Sequence, residues 1–83
     1  MKLLRLTPIL GLTGVSRSTH YAQIQSGLMT AGVPLSVHSV AWPEHEILAI
    51  NAARVAGKSD DEIRLLVIKL MADRKALGAE VMA

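Results

Sequence analysis

The chain contains no cysteine and no phenylalanine, and its aromatic residues are limited to Tyr21 and Trp42, 2% of 83 residues. The absence of cysteine excludes a disulfide framework and a zinc–thiolate site. With so few aromatics, the core must be built from Leu, Ile, Val and Ala, which favours helices over stacked sheets. A chain of this length forms one domain with a small core.

Long hydrophobic runs are also missing. No stretch approaches the roughly 18 apolar residues that a membrane span requires. Arg5 and Pro8 interrupt the apolar start of the chain before it reaches the length of a signal-peptide core, about 7–15 residues. We therefore expect a cytoplasmic protein that does not associate with membranes.

Acidic residues are absent from the first 43 positions, which contain Lys2, Arg5 and Arg17 and carry a net charge of +3. Residues 44–83 contain six basic and seven acidic residues, a net charge of −1. A basic first half is suited to binding phosphate groups, although three charges create only a weak field.

Residues 7–27 have the pattern of two short helices separated by a tight turn. Thr7 is a candidate N-cap with Pro8 at the first helical position, and the Gly14–Val15 step ends this helix. Ser16 is a second N-cap, and the helix that follows runs over residues 17–25 until Gly27. Two short helices joined by a glycine-containing turn are typical of a helix-turn-helix DNA reader. We therefore expect the residues after Ser16 to contact DNA.

Two orientations of this second helix are compatible with its sequence. In the first, Val15, His20 and Ile24 face the core and Tyr21 faces outward. In the second, Tyr21, Ile24 and Leu28 face the core and His20 faces outward. Composition favours the second, because tyrosine is the better core residue.

Arg17 lies outward or lateral in both orientations, at a helix start where a positive charge is electrostatically unfavourable. That placement indicates a role outside the fold, such as contact with a phosphate or a guanine edge. The alternative is a solvated arginine.

Residues 32–42 read as two short strands around a tight turn at Ser36-Val37-His38. Pro34 cannot donate a hydrogen bond within a sheet, so its strand must lie at an edge. Trp42 is the expected anchor of this hairpin on the helices. A hairpin directly after a reader helix is typical of a wing, and His38 at its tip is a candidate DNA contact or a solvated loop residue.

A third helix is predicted from Pro43 to Ala56, ended by Gly57. Its adjacent Glu44, His45 and Glu46 cannot converge on one metal ion, because successive helical positions diverge by about 100°. The chain also lacks a catalytic triad, a Cys–His pair, paired carboxylates and a phosphate loop. We expect no enzymatic activity, no catalytic residues, no metal site and no cofactor.

A fourth helix is predicted from Asp60 to about Ala76 or beyond, with Ser59 and Glu62 forming a capping box. Apolar residues occupy two of its sides. One stripe consists of Ile63, Leu66, Val67, Leu70 and Leu77, and the other of Leu65, Ile68, Ala72, Ala76 and Ala79. Two apolar sides require two partners. The second side therefore packs on a second copy of the chain or covers another part of the same molecule.

The order of these elements, with the run Gly14-Val15-Ser16-Arg17-Ser18-Thr19, a tyrosine in the next turn, Gly27, Val40-Ala41-Trp42 and Glu46-Ile47, resembles the AlpA family. These are small prophage and integrative-element regulators, similar to phage excisionases and to the DNA-binding head of MerR proteins. The resemblance covers about residues 3–57, and residues 56–64 resemble an extension found in part of the family.

The resemblance implies a winged helix-turn-helix, DNA binding, regulation of excision or transfer genes, and no catalysis. By motif position it assigns the DNA-reading residues as Arg17, Ser18, Thr19 and Tyr21, with Gln25 one turn further on. The family usually has leucine where this chain has His20, which supports the first helix orientation. Its wing turn usually contains glycine with an arginine nearby, so the wing Ser36-Val37-His38 is expected to bind phosphates weakly.

Together these features predict a mainly α, winged helix-turn-helix protein with element order α-α-β-β-α-α. Residues 1–57 form the DNA-binding domain, and residues 58–83 form a C-terminal helix for packing and possible dimerisation. The predicted function is sequence-specific, double-stranded DNA binding by a transcriptional regulator that acts as a homodimer or in several copies, with RNA polymerase as a candidate partner. The alternatives are an excisionase-type factor that bends DNA and works with an integrase, and a helical protein-interaction module.

Overall fold

The computed structural model describes residues 1–82, with side chains described for residues 1–79. The element order is β1 (Leu3–Leu4), α1 (Leu6–Thr13), α2 (Arg17–Gln25), β2 (Val33–Ser36), β3 (Ser39–Pro43), α3 (Glu44–Val55) and α4 (Asp60–Met82). The predicted mainly α winged helix-turn-helix with order α-α-β-β-α-α is confirmed, and the short strand β1 is added before it.

Helix α1 begins two residues earlier than predicted. Its N-cap is Arg5, with no side-chain capping bond, so the prediction that Thr7 caps this helix is wrong. Pro8 lies in the first turn, where the backbone N–H groups have no intrahelical acceptor and proline is therefore tolerated. The helix ends at Gly14, whose positive φ of 74° lets its N–H donate back to the Leu10 carbonyl.

Helix α2 has the predicted boundaries, because both of its ends are specified locally. The Ser16 hydroxyl accepts a hydrogen bond from the Thr19 N–H at 3.2 Å. At the other end, Gly27 adopts a φ of 78°, and the N–H of Leu28 donates to the Gln23 carbonyl at 2.8 Å. The positive φ of Gly27 and the bond from Leu28 to Gln23 form a Schellman motif, which ends the helix.

The three strands form an antiparallel sheet in the order β1-β3-β2. The first strand pairs Leu3 with Pro43 and Leu4 with Trp42, which fixes the start of the chain beside the hairpin. Within residues 1–82, strand β2 pairs with β3 alone, and it contains Pro34, so the prediction of an edge strand is confirmed.

The hairpin is anchored by Trp42, as predicted. This side chain is 1% exposed, and its Nε1–H donates to the Thr30 carbonyl at 2.8 Å. Gly32 lies where a Cβ atom would collide with Val40 and Trp42. A glycine at this position therefore allows the backbone before β2 to pack directly against β3.

Helices α3 and α4 complete a single apolar core. The predicted capping box is present, since the Glu62 N–H donates to the Ser59 hydroxyl and the Ser59 N–H donates to the Glu62 carboxylate. The buried side of α4 packs in the same cluster as residues from every other helix except α2, whose Ile24 is partly buried against it. The buried residues of this cluster are Leu4, Ile9, Met29, Trp42, Ile47, Ile50, Ile63, Val67 and Leu70.

Two arginines of α4 hold it against the helix-turn-helix and the hairpin. Arg74 forms two hydrogen bonds to the fully buried Glu46 carboxylate, at 2.6 and 2.8 Å, and a third to the Ala31 carbonyl at 2.8 Å. Arg64 donates from Nε to the Ser26 carbonyl at 2.9 Å, at the end of α2. Helix α4 therefore contacts both the end of α2 and the segment that enters the hairpin.

None of the helices within residues 1–82 is long and apolar enough to cross a membrane.

Candidate nucleic-acid interface

The orientation of α2 decides which side chains can face a ligand. His20 is fully buried and Tyr21 is 45% exposed, so the orientation favoured by composition is wrong and the orientation supported by the family resemblance is correct. The physical reason is Trp42, whose ring meets the His20 ring edge-on at a centroid distance of 4.8 Å. The histidine fills the space between α2 and the hairpin, while the tyrosine keeps its hydroxyl near water.

Burial separates His20 from polar groups. Among residues 1–79, no side chain or backbone group forms a hydrogen bond with either ring nitrogen. Burial lowers the pKa of His20 below its ordinary value, because a charged imidazolium would lose its hydration without gaining an acceptor. The ring therefore serves as a neutral packing group and is not available to bind DNA.

The candidate residues of α2 lie on its exposed side. Arg17, Ser18, Thr19, Tyr21 and Gln25 are all exposed. Thr19 is also part of the helix cap, because its side-chain oxygen accepts a hydrogen bond from the Ser16 hydroxyl at 3.0 Å. The four other side chains are free of hydrogen bonds within the described part of the chain and can turn toward a ligand.

The wing presents a turn of two exposed residues between β2 and β3. His38 lies there as predicted, next to Val37, which is 91% exposed. No glycine or arginine occupies this turn. The wing tip thus offers an imidazole and an isopropyl group in place of a positive charge.

A groove of about 290 Å³ joins the wing to α2. Its walls come from the start of α1, the first turns of α2 and the hairpin, and the lining residues are Arg5, Leu6, Thr7, Arg17, Tyr21, His38, Val40 and Trp42. The structure therefore brings three of the six candidate residues, Arg17, Tyr21 and His38, to one concave surface. Ser18, Thr19 and Gln25 lie on α2 outside the groove lining.

The groove is electrostatically positive. Its lining contains two arginines and, within the part of the chain that the structure describes, no carboxylate. The nearest acidic residues in sequence are already paired, since Glu44 lies 3.5 Å from Lys2 and Glu46 binds Arg74. Such a surface attracts anions, and its guanidinium groups match the oxygen pairs of phosphates.

Arg5 is a lining residue that the sequence did not select as a DNA contact. It stands alone near the start of the chain, where an isolated arginine is usually solvated, and it is separated from His38 by 33 positions. The available signal was the acid-free first half of the sequence, which marked a basic region without selecting its members.

The described residues contain no group of three or more potential ligands that could hold a metal ion. The side chains of the groove are donors and apolar walls, suited to binding a polyanion.

Comparisons with known proteins agree with this architecture. The family described as "Prophage CP4-57 regulatory protein (AlpA)" matches residues 2–49. The chain is also 39% identical over 57 residues to the "Uncharacterized protein ORF88" of Enterobacteria phage P4. That alignment covers 69% of this chain and 65% of the phage protein, so it spans slightly less than two thirds of that relative.

No solved structure shows significant similarity to this chain. The family match extends from β1 into α3 and includes α1, α2 and the hairpin. It therefore contains all the residues that line the groove. The chain belongs to the AlpA family of prophage regulatory proteins.

Proposed function

We propose that this protein is a sequence-specific DNA-binding transcriptional regulator of a prophage or integrative element, with α2 in the major groove and the hairpin beside it. The observation that carries the proposal is the shared surface of α2 and the wing, on which Arg17, Tyr21 and His38 line one groove without an acidic side chain. Membership of a prophage regulatory family supports the same function.

Each candidate residue has a distinct expected role. Arg17 in the first turn of α2 is placed to bind a guanine edge, a contact that bidentate geometry makes specific. Ser18 and Gln25 supply further hydrogen bonds to bases along the exposed side of the helix. Tyr21 and His38 border the groove and contact the sugar-phosphate backbone, while Thr19 supports the reader through the cap that it shares with Ser16.

Residues 1–57 are the proposed DNA-binding domain, and residues 58–83 add a dimerisation helix. A good bidentate base contact discriminates by about 1–3 kcal/mol, too little for one small module to select a genomic site. We therefore propose that two or more copies bind together.

Helix α4 is the proposed interface between copies. Leu65 and Ile68 are 67% and 65% exposed on its outer side. Charge favours an antiparallel arrangement of two such helices, because residues 60–68 contain three acids and one arginine and residues 69–79 contain three bases and one acid. Antiparallel packing places the acidic half of one helix against the basic half of the other.

A variant of Arg17 tests the base-reading role. Duplexes that the protein binds are first selected from a random pool. Arg17→Ala should then weaken binding to the selected duplex by about 10-fold or more and to a random duplex by much less, since one base contact is lost. Equal losses on both duplexes would reduce Arg17 to a phosphate contact. Wild-type protein that fails to bind duplex DNA would refute the proposal itself.

The exposed wing tip favours a second candidate, an architectural factor of the excisionase type. Apolar side chains such as Val37 can enter the minor groove and bend DNA, and Val37 is 91% exposed. Footprints at an attachment site, with an integrase as the partner, would support this candidate. Footprints at a promoter, with RNA polymerase as the partner, would support the regulator.

A further inference from the structure

We propose that Arg5 binds the DNA backbone by holding a phosphate group of the duplex in the groove that it lines together with Arg17 and His38. This inference rests on the proposed function and extends it to a residue in front of the helix-turn-helix. It assigns Arg5 a contact that does not depend on base sequence, in contrast to Arg17.

The first argument is the convergence of donors. Arg5 precedes α1, Arg17 opens α2, and His38 lies in the hairpin turn, yet all three line the same groove. Leu6, Val40 and Trp42 contribute apolar walls. Two arginines and a histidine from three separate elements thus surround a single concavity, whereas unrelated surface arginines would point to separate regions of solvent.

The second argument is the absence of internal partners. Among the side chains of residues 1–79, neither Arg5 nor Arg17 forms an ion pair or a side-chain hydrogen bond. Arg64 and Arg74, by comparison, bind carboxylates and backbone carbonyls of the fold. A guanidinium presents several N–H donors and no acceptor, so two such groups facing a groove without a carboxylate favour an external anion.

The third argument is the rigidity of the Arg5 backbone. Arg5 follows Leu4, which is 8% exposed and pairs with Trp42. Its carbonyl accepts a hydrogen bond from the N–H of the fully buried Ile9 at 3.3 Å. The side chain therefore projects from a fixed backbone, and only its own rotamers are restricted when an anion binds.

The identity of the anion follows from the position of the groove. It lies alongside the first turns of α2 and next to the wing, the two elements that the proposed complex places on either side of a DNA strand. Phosphates are the regularly spaced anions of that strand, and arginines around a reader helix typically bind them and fix the orientation of the protein. The occupant that we propose is therefore a backbone phosphate of duplex DNA.

Binding of the full chain to a selected and a random duplex, measured by fluorescence anisotropy across a salt series, tests the inference. Arg5→Ala should weaken binding to both duplexes equally, by about 5- to 10-fold at 0.1 M salt. The reason is that one phosphate contact contributes about 0.9 to the slope of log K against log salt. The slope of log K against log salt should decrease by about one. Arg5→Lys should retain the slope because it retains the charge.

Lys58→Ala is the matched control, since it removes one positive charge from an exposed residue between α3 and α4, where Lys58 forms only a surface pair with Glu62. It should change either affinity by less than about twofold, because Lys58 does not line the groove and exposed charges are screened at this salt concentration. Arg5→Gln provides a second variant that keeps most of the side-chain stem, and thermal melting confirms that each variant folds.

The outcomes separate the inference from the function on which it rests. Wild-type protein without salt-dependent binding to any duplex would refute the proposed function. Wild-type protein that binds, with Arg5→Ala and Arg5→Gln behaving like Lys58→Ala, would overturn only the assignment of Arg5. A loss confined to the selected duplex would also overturn it, since Arg5 would then read a base.

Discussion

The ion pair between Glu46 and Arg74 should control the stability of the whole fold. The Glu46 carboxylate is fully buried and receives two hydrogen bonds from Arg74, whose third bond reaches the Ala31 carbonyl. Arg74→Met keeps an apolar stem and removes every donor. The variant leaves a buried charge without a partner, which typically costs about 3–5 kcal/mol, and loses a further hydrogen bond worth about 1 kcal/mol.

That loss is large for a chain of this size, for which a free energy of unfolding of about 4–12 kcal/mol is expected. Urea denaturation at pH 7 measures this loss of stability. With an m-value of about 1 kcal/mol/M, the urea concentration at the midpoint of unfolding should fall by about 3 M or more. The double variant Glu46→Leu/Arg74→Met removes both charges and should recover most of the stability, because apolar replacement of a buried pair is often neutral.

Lys69→Met is the matched control, since it breaks the exposed pair with Asp73, whose charged atoms lie 3.3 Å apart, and should cost less than about 1 kcal/mol. The reasoning is refuted if Arg74→Met costs as little as the control, or if the double variant is no more stable than the single one.

Two further predictions concern the buried histidine and the outer side of α4. Wild-type stability should be complete above about pH 6.5, the ordinary pKa of histidine, and should fall as the pH decreases below it. The reason is that the unfolded chain binds a proton that the buried His20, with its lowered pKa, resists. His20→Leu should remove this pH dependence and raise the free energy of unfolding at pH 7 by about 1–3 kcal/mol, because two unpaired nitrogens are removed from the core. The prediction is contradicted if the free energy of unfolding of the variant changes between pH 5 and 7 as much as that of the wild type. Glu62 also has a lowered pKa, through its bonds to Ser59, but its stability contribution is lost only below about pH 4.5 and so does not overlap with this range. The second prediction is that Leu65→Gln/Ile68→Gln converts a wild-type dimer to a monomer in sedimentation equilibrium, whereas Val55→Gln, at an even more exposed apolar position of α3, leaves the dimer intact. A wild-type protein that sediments as a monomer both alone and on its selected duplex would refute the proposed interface.

Local signals in the sequence were sufficient for most of the fold. Ser16 and Gly27 specified both ends of α2, and Ser59 with Glu62 specified the start of α4, because caps depend only on neighbouring residues. Pro34 indicated an edge strand because proline has no N–H group to donate within a sheet. The start of α1 was misplaced because a proline is tolerated throughout the first helical turn, so Pro8 did not mark the first position.

Features that depend on distant contacts could not be predicted in the same way. Strand β1 has only two residues and exists because it pairs with Pro43 and Trp42. The orientation of the nine-residue α2 was undecided because His20 and Tyr21 are adjacent, and the choice depends on the fit of the imidazole against Trp42. The groove could not be predicted from the sequence either, because Arg5, Arg17 and His38 come together only in the folded chain.

We propose the outer side of α2 and the wing as the DNA-binding surface. A titration of isotope-labelled protein with its selected duplex, followed through the backbone amide signals by NMR, tests this surface residue by residue. The largest shifts should occur over residues 17–25 and 36–40 and at Arg5, while the amides around Leu65 and Ile68 should remain unperturbed at constant oligomeric state. Shifts confined to α4, with those of α2 and the hairpin unchanged, would contradict it.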